Sequence, residues 1–325
     1  MTSIRDYRQP YKVEGKFEFP HYFEVYQKAV ASVWRPQEVS FESDIRDWQV
    51  ATEDEREIIG GILRGFTQLE CYVGDYWASI PQIFPKHEIA AMARAFSFSE
   101  VVHAESYNLL SDTLGIDEFE AFLGDPVARQ KIDYFLSKKG DKIALAVFSG
   151  AGEGVSLFSS FAALLSLNLN GKYKGISQII SWSALDEQAH SDGGIALFKD
   201  LCNEEPLTNE EVNEIFEGFQ QVIQNEYAFI DKIFENRSLT NISAYDLKQY
   251  ILYRANDRLQ ALGIDRSFRF DDKAATRIKG WFHPLMAGST STDFFAQPKS
   301  GDSYVSKPTQ DFSSVNLRNL NLALA

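Results

Sequence analysis

Glu100-Val101-Val102-His103 and Glu187-Gln188-Ala189-His190 decide how this chain is read. Each sets a carboxylate and an imidazole three residues apart. On a helix that spacing places both side chains on one face, about one turn apart. A single such string carries little weight, because Glu and His are ordinary surface residues. Two copies carry more when each lies in a long apolar helical pattern with another carboxylate upstream. Glu70 precedes Glu100 by 30 residues, and Glu153 precedes Glu187 by 34. The chain therefore reads twice as carboxylate helix, connection, Glu-x-x-His helix.

Four carboxylates and two imidazoles suit a pair of divalent cations. Unpaired, four buried carboxylates would be very costly. Hard oxygen donors with a little nitrogen favour iron or manganese over the metals that thiolates select. The predicted fold is all-α: a ferritin-like helical bundle with additional helices and a flexible C-terminal tail.

The rest of the chain fits that frame. Residues 1–20 read as an irregular arm with Pro10, Gly15 and Pro20. A helix is expected from about His21 to Val33, broken by Trp34-Arg35-Pro36. Helical spacing runs through residues 53–80, from Ile58 and Ile62 to Leu69 and Val73, and Pro81 and Pro85 are expected to end it. The next helix runs to about Leu114, where Gly115 stops it. A shorter helix is expected near 125–138, closed by Gly140. Residues 142–169 are almost wholly apolar around Glu153. Ser156, Ser159, Ser160 and the glycine run make this stretch a buried central helix rather than a membrane span. The second Glu-x-x-His lies on a helix from about Ile176 to Cys202. Helices near 208–235 and 244–262 are expected to complete the bundle, so that the main domain covers 21–287. Residues 288–325 turn polar and read as a flexible tail. Its last leucines, Leu317, Leu320, Leu322 and Leu324, suggest a tethered peptide that docks into a groove on another protein.

Composition narrows the classes. The 32 basic and 46 acidic residues leave a net charge of −14, which argues against a nucleic-acid surface. Cys71 and Cys202 are the only cysteines, so no disulfide framework is expected, and a reduced cytoplasmic setting fits. The first 20 residues have no apolar core of signal-peptide length. The 25 Phe, 14 Tyr and 5 Trp suit a thick aromatic core.

The chain resembles the small, radical-generating subunit of class I ribonucleotide reductase over roughly residues 20–290. The resemblance rests on Trp34-Arg35-Pro36-Gln37-Glu38-Val39, on Phe98-Ser99-Glu100 through His103 to Tyr107, on Glu153 followed by Phe158-Ser159-Ser160-Phe161, and on Asp186-Glu187 through His190. It implies that Glu70, Glu100 and His103 bind one metal and that Glu153, Glu187 and His190 bind the other. It implies a radical-bearing Tyr107, four residues past His103 and roughly 6 Å further along the helix. Asp186 would hydrogen-bond the second nitrogen of His103, and Trp34 would extend that chain toward the surface. Tyr304 in the tail would relay the radical into the partner. Leu157 and Phe161 would form a dry wall around the radical. The partners implied are the large catalytic subunit, reached through the C-terminal tail, a second copy in a homodimer and an activating flavoprotein.

Three positions depart from the best-known branch of that family. Glu70 stands where Asp is usual, Ser183 where an aliphatic residue is common, and Leu185 where Arg is frequent. These leave the dinuclear centre open between Fe/Fe, Mn/Mn and Mn/Fe. They also leave the stored oxidising equivalent open between Tyr107 and the cluster. The absence of a Gly-rich phosphate loop leaves nucleotide binding to the large subunit. The rival readings are a ferritin-like di-metal oxidase acting on a small apolar ligand, and an iron-storage bundle. The first would share the metal residues but need neither Trp34 nor the tail. The second would give no reason for Tyr107.

Overall fold

The computed structural model describes residues 3–6, 17–116, 124, 126–127, 129–130 and 142–288. Ten α-helices carry the described chain: α1 (Pro20–Ala31), α2 (Glu42–Gln49), α3 (Glu53–Ile83), α4 (His87–Leu114), α5 (Lys142–Val147), α6 (Phe158–Asn168), α7 (Lys174–Glu204), α8 (Asn209–Ile233), α9 (Ala244–Leu262) and α10 (Asp272–Gly288). Between α5 and α6 the helix loosens into a π-helical segment, Phe148–Ser156. Among the described residues the only strand-like pairing is a single bridge from Leu239 to Ile242. The all-α expectation agrees with this. Of the expected helix near 125–138 only residues 126–127 and 129–130 are described, and these are helical; the tail from 289 onward lies outside the described residues, as does most of the expected arm.

Local chemistry sets most boundaries. The Glu55 amide donates to Thr52 Oγ1 at 3.1 Å and the Thr52 amide to Glu55 Oε2 at 3.1 Å, a reciprocal cap that starts α3. Thr208 and Glu211 start α8 in the same way. Gly115 at φ +68° ends α4, in the left-handed region that glycine enters without steric cost. Helix α3 does not stop at Pro81 but runs on to Ile83. Pro81 lies in the last turn, and beyond it the Phe84 amide still reaches the Ile80 carbonyl at 2.9 Å.

Two helices were not anticipated. Helix α10 continues the fold past Leu262, where the sequence pattern suggested completion. Ala274, Ala275, Ile278 and Phe282 recur at helical spacing and are buried. Helix α2 is short and polar, yet its Asp44 is buried. Asp44 accepts from the amides of Gly175 at 2.9 Å and Ile176 at 2.8 Å, so α2 caps the start of α7.

Helix α3 packs along α4, and the π segment packs against α7, α8 and α9. The stretch Lys142–Asn168 is long and apolar enough to cross a membrane, but 94% of its most apolar window is buried inside the protein. It is a core element, as its serines and glycines suggested. Contact between α7 and the π segment is too close for a side chain: a Cβ on Gly194 would stand 2.0 Å from Ser149 Oγ.

Candidate metal centre

Glu70 belongs to the buried stripe of α3, with Phe66, Val73 and Trp77. On α4 the buried stripe is Phe96, Glu100, His103, Tyr107 and Leu110, at alternating spacings of four and three. Helix α7 turns Ser183, Glu187, His190 and Gly194 inward, and the π segment supplies Glu153. All six predicted ligand side chains are at most 2% exposed.

The structure brings these six together as two overlapping quartets. Glu70, Glu100, His103 and Glu187 offer ligand atoms all within 4.8 Å of one another, and so do Glu100, Glu153, Glu187 and His190. Glu100 and Glu187 belong to both. Glu100 sets Oε2 3.0 Å from His103 Nδ1 and Oε1 2.7 Å from His190 Nδ1. Glu187 sets Oε1 2.9 Å from His103 Nδ1 and Oε2 3.3 Å from His190 Nδ1. Each of these carboxylates thus presents one oxygen to each imidazole. The sequence reading allotted one of them to each metal, and the structure gives both a place on both sides.

The electrostatics show a site short of positive charge. Both oxygens of Glu70, both of Glu187, Glu100 Oε1 and His190 Nδ1 are buried without a hydrogen bond. Burial, then the charges of Glu187 and Glu100, push Glu70 and Glu153 well above the usual carboxylate range. Glu187 goes the other way: burial opposes its ionisation, but His190 and His103 outweigh it. His190 is pushed up to about 9, because Glu100 and Glu187 overcome the effect of burial. His103 rises likewise, driven by Glu100 and Asp186 against burial. Two cations with hard-oxygen preference would satisfy the orphaned oxygens and both inward-facing Nδ1 atoms, so the residues fit a dinuclear metal group.

The outer contacts differ between the two histidines. His103 Nε2 lies 3.2 Å from Asp186 Oδ2, which also accepts from Trp34 Nε1 at 2.8 Å. The Trp34 ring stacks on His103 with centroids 5.7 Å apart. His190 Nε2 lies 2.9 Å from Ser99 Oγ, and Trp77 Nε1 donates to Glu153 Oε1 at 2.5 Å. Sequence reasoning missed Ser99 and Trp77. The spacing of seven between Glu70 and Trp77, two turns along one face, was the available signal for Trp77.

Tyr107 is fully buried, and its hydroxyl makes no hydrogen bond. Its ring lies 6.3 Å from that of His103 and 4.9 Å from that of Phe66. Burial and the Glu70 charge raise its pKa well above the ordinary phenol, so the hydroxyl stays protonated. Phe66, which the sequence reading did not single out, packs on Phe161 at 5.2 Å as well as on Tyr107, so an aromatic pair lines one side of the Tyr107 ring; Leu157 is buried. Tyr304 lies outside the described residues.

The sequence model of the family described as "Ribonucleotide reductase, small chain" matches residues 13–274. The chain belongs to this family. A relative named "Probable ribonucleoside-diphosphate reductase small subunit 376L", from Invertebrate iridescent virus 6, is 29% identical over 337 residues, spanning 90% of this chain and 92% of its own length. "Ribonucleoside-diphosphate reductase subunit M2" from Homo sapiens is 27% identical over 269 residues, 78% of this chain and 67% of its own. Among solved structures, the dimanganese(II)-NrdF of Streptococcus sanguinis superposes with a TM-score of 0.74 at 20% identity, covering 88% of this chain and 100% of that one. The ribonucleotide reductase R2 subunit from Clostridium botulinum gives 0.72 at 18%, covering 87% and 99%. These likenesses support the ferritin-like fold. As a ribonucleotide reductase small subunit the chain works with a large subunit, and this favours the reductase reading over the free-standing oxidase. Its buried Glu/His cluster fits a di-metal site.

Proposed function

We propose that this small subunit generates and holds a one-electron oxidant at the Glu/His cluster and delivers it to the large subunit, where ribonucleotides are reduced to deoxyribonucleotides. The observation that carries the reading is the shared placement of Glu100 and Glu187, each with one oxygen toward each histidine. Glu70 and His103 would complete one metal site, and Glu153 and His190 the other. The pair is Fe/Fe, Mn/Mn or Mn/Fe. When bound, such a pair supplies one-electron redox chemistry.

The protein's own residues then have distinct tasks. Asp186 holds the Nε2 proton of His103 and fixes the imidazole with Nδ1 inward. Trp34, hydrogen-bonded to Asp186 and stacked on His103, gives an electron a route from the outer side of the bundle. Tyr107, with its Oη proton kept in place by burial, is the side chain available for one-electron oxidation. Phe66, Leu157 and Phe161 exclude water around it. Tyr304 would carry the equivalent onward from the tail, residues 288–325, which docks on the large subunit.

The chain would act as a homodimer in the cytoplasm. Phe98 and Val101, one turn apart on α4, are 51% and 63% exposed and offer an apolar face to a second copy. Cys71 and Cys202 are free thiols, which suits a reducing compartment. An activating flavoprotein would be a further partner.

The test is to load the full chain separately with iron and with manganese, and to record paramagnetic resonance and turnover with the large subunit for wild type and Tyr107→Phe. Loss of a tyrosyl signal together with turnover supports storage on Tyr107. Retained turnover with a metal-centred signal moves the store to the cluster. Failure of every loaded form to support the large subunit would sink the proposal.

A further inference from the structure

Helix α9 sends two buried arginines toward the cluster without touching it. Arg254 is 6% exposed and Arg258 is 8%. Arg254 Nε donates to the Gly154 carbonyl at 2.7 Å, and its Nη2 donates to Gln188 Oε1 at 2.9 Å. Its guanidinium lies 3.4 Å over the centroid of the Phe158 ring. One turn on, Arg258 Nη1 donates to Asp192 Oδ1 at 2.6 Å and lies 3.4 Å from Ser191 Oγ. Gln188 Nε2 donates to the same Asp192 oxygen at 3.0 Å, which closes the network.

The contacted residues are neighbours of ligands. Gly154 follows Glu153, Gln188 follows Glu187, and Ser191 follows His190. All three belong to the second copy of the sequence pattern. A Cβ on Gly154 would come 2.5 Å from Arg258 Cδ, so the arginine stem fills the space that glycine leaves beside Glu153. A buried guanidinium is costly unless its donors are met. Here a π-segment carbonyl, a side-chain amide and an aromatic face meet Arg254. The planar fork ties the π segment to α7 at one fixed separation, which a lysine's point charge cannot do.

We infer that Arg254 and Arg258 are positioning residues that hold Glu153, Glu187 and His190 at the spacing a second metal ion requires. The Glu70–His103 side draws its outer contacts from Asp186 and Trp34 instead. The inference rests on the di-metal reading above, and losing the brace should weaken one site more than the other. Direct partners of a metal's ligands are worth about 10- to 100-fold in affinity, which sets the ceiling for a brace that acts through the residues beside them.

The experiment is a Mn(II) titration of the metal-free full chain, followed by the resonance of free and bound ion. Wild type should bind two ions per chain, and a wild type that binds none would defeat the di-metal reading itself. Arg254→Met should keep one ion and bind the second more weakly, by no more than about 100-fold, with Arg254→Lys in between. Two ions held with wild-type affinity, or both weakened equally, would overturn the brace. If Arg254→Met fails to fold by circular dichroism, Gln188→Met decides. It removes one acceptor and keeps the arginine, so selective weakening of the second ion supports the inference and an unchanged titration refutes it.

Discussion

The two halves of the centre are written with one sequence pattern and built into different surroundings. On the Glu70 side, the outer nitrogen of His103 faces an anion, Asp186, which leads on to Trp34. On the Glu153 side, the outer nitrogen of His190 faces a neutral hydroxyl, Ser99, and the carboxylate takes an indole donor from Trp77. An anionic partner makes an imidazole a stronger donor than a hydroxyl does. Glu70 also sits on a regular helix, whereas Glu153 sits on a π segment. Equal ligand types therefore need not give equal sites: the half beside Tyr107 is the one whose hydrogen bonds run on through Asp186 to Trp34.

The largest test removes what the halves share. Glu187→Ala should abolish both metal equivalents and all turnover, since Glu187 lies in both quartets. Metal analysis that found one equivalent retained at full affinity would show that Glu187 serves a single ion. Asp186→Asn should come next, lowering turnover or affinity on the His103 side by about 10- to 100-fold. Ser99→Ala should cost less, about fivefold, the worth of one neutral hydrogen bond of about 1 kcal/mol. If the serine variant proved as damaging as the asparagine one in the same assay, the two halves would not differ in this way.

The smallest effect is on stability. In the metal-free chain His190 has its pKa raised from 6.5 to about 9 by Glu100 and Glu187, against burial. A raised pKa means that the folded state binds the proton more tightly. The resulting stabilisation is full below pH 6.5 and is lost as pH rises through about 9. The metal-free melting temperature should therefore fall across that window. The loaded chain, in which cations replace the protons, should not follow it. Parallel melts at pH 6.5 and 9 check this.

Much of this was legible because helices repeat every 3.6 residues. That period placed Glu100, His103 and Tyr107 on one stripe of α4, and Glu187 and His190 on one stripe of α7. The turn chemistry of Gly115 was equally local. What escaped notice is long-range or irregular. Ser99 and Trp77 gain meaning only from partners 91 and 76 residues away. Phe66 looked like any core phenylalanine. The π segment loosens the hydrogen-bond ladder through a glycine-rich stretch that reads as plain helix. Helix α2 shows no apolar stripe because its one buried anchor is an aspartate, a residue type rarely found inside.

The contact of Gly194 with Ser149 has a bearing on engineering. Backbone meets side chain there with no room for even a methyl group. Copying the six buried Glu and His side chains onto an idealised scaffold of regular, alanine-spaced rods would hold the rods too far apart. A faithful transplant must carry the bare glycine and the loosened turn opposite it.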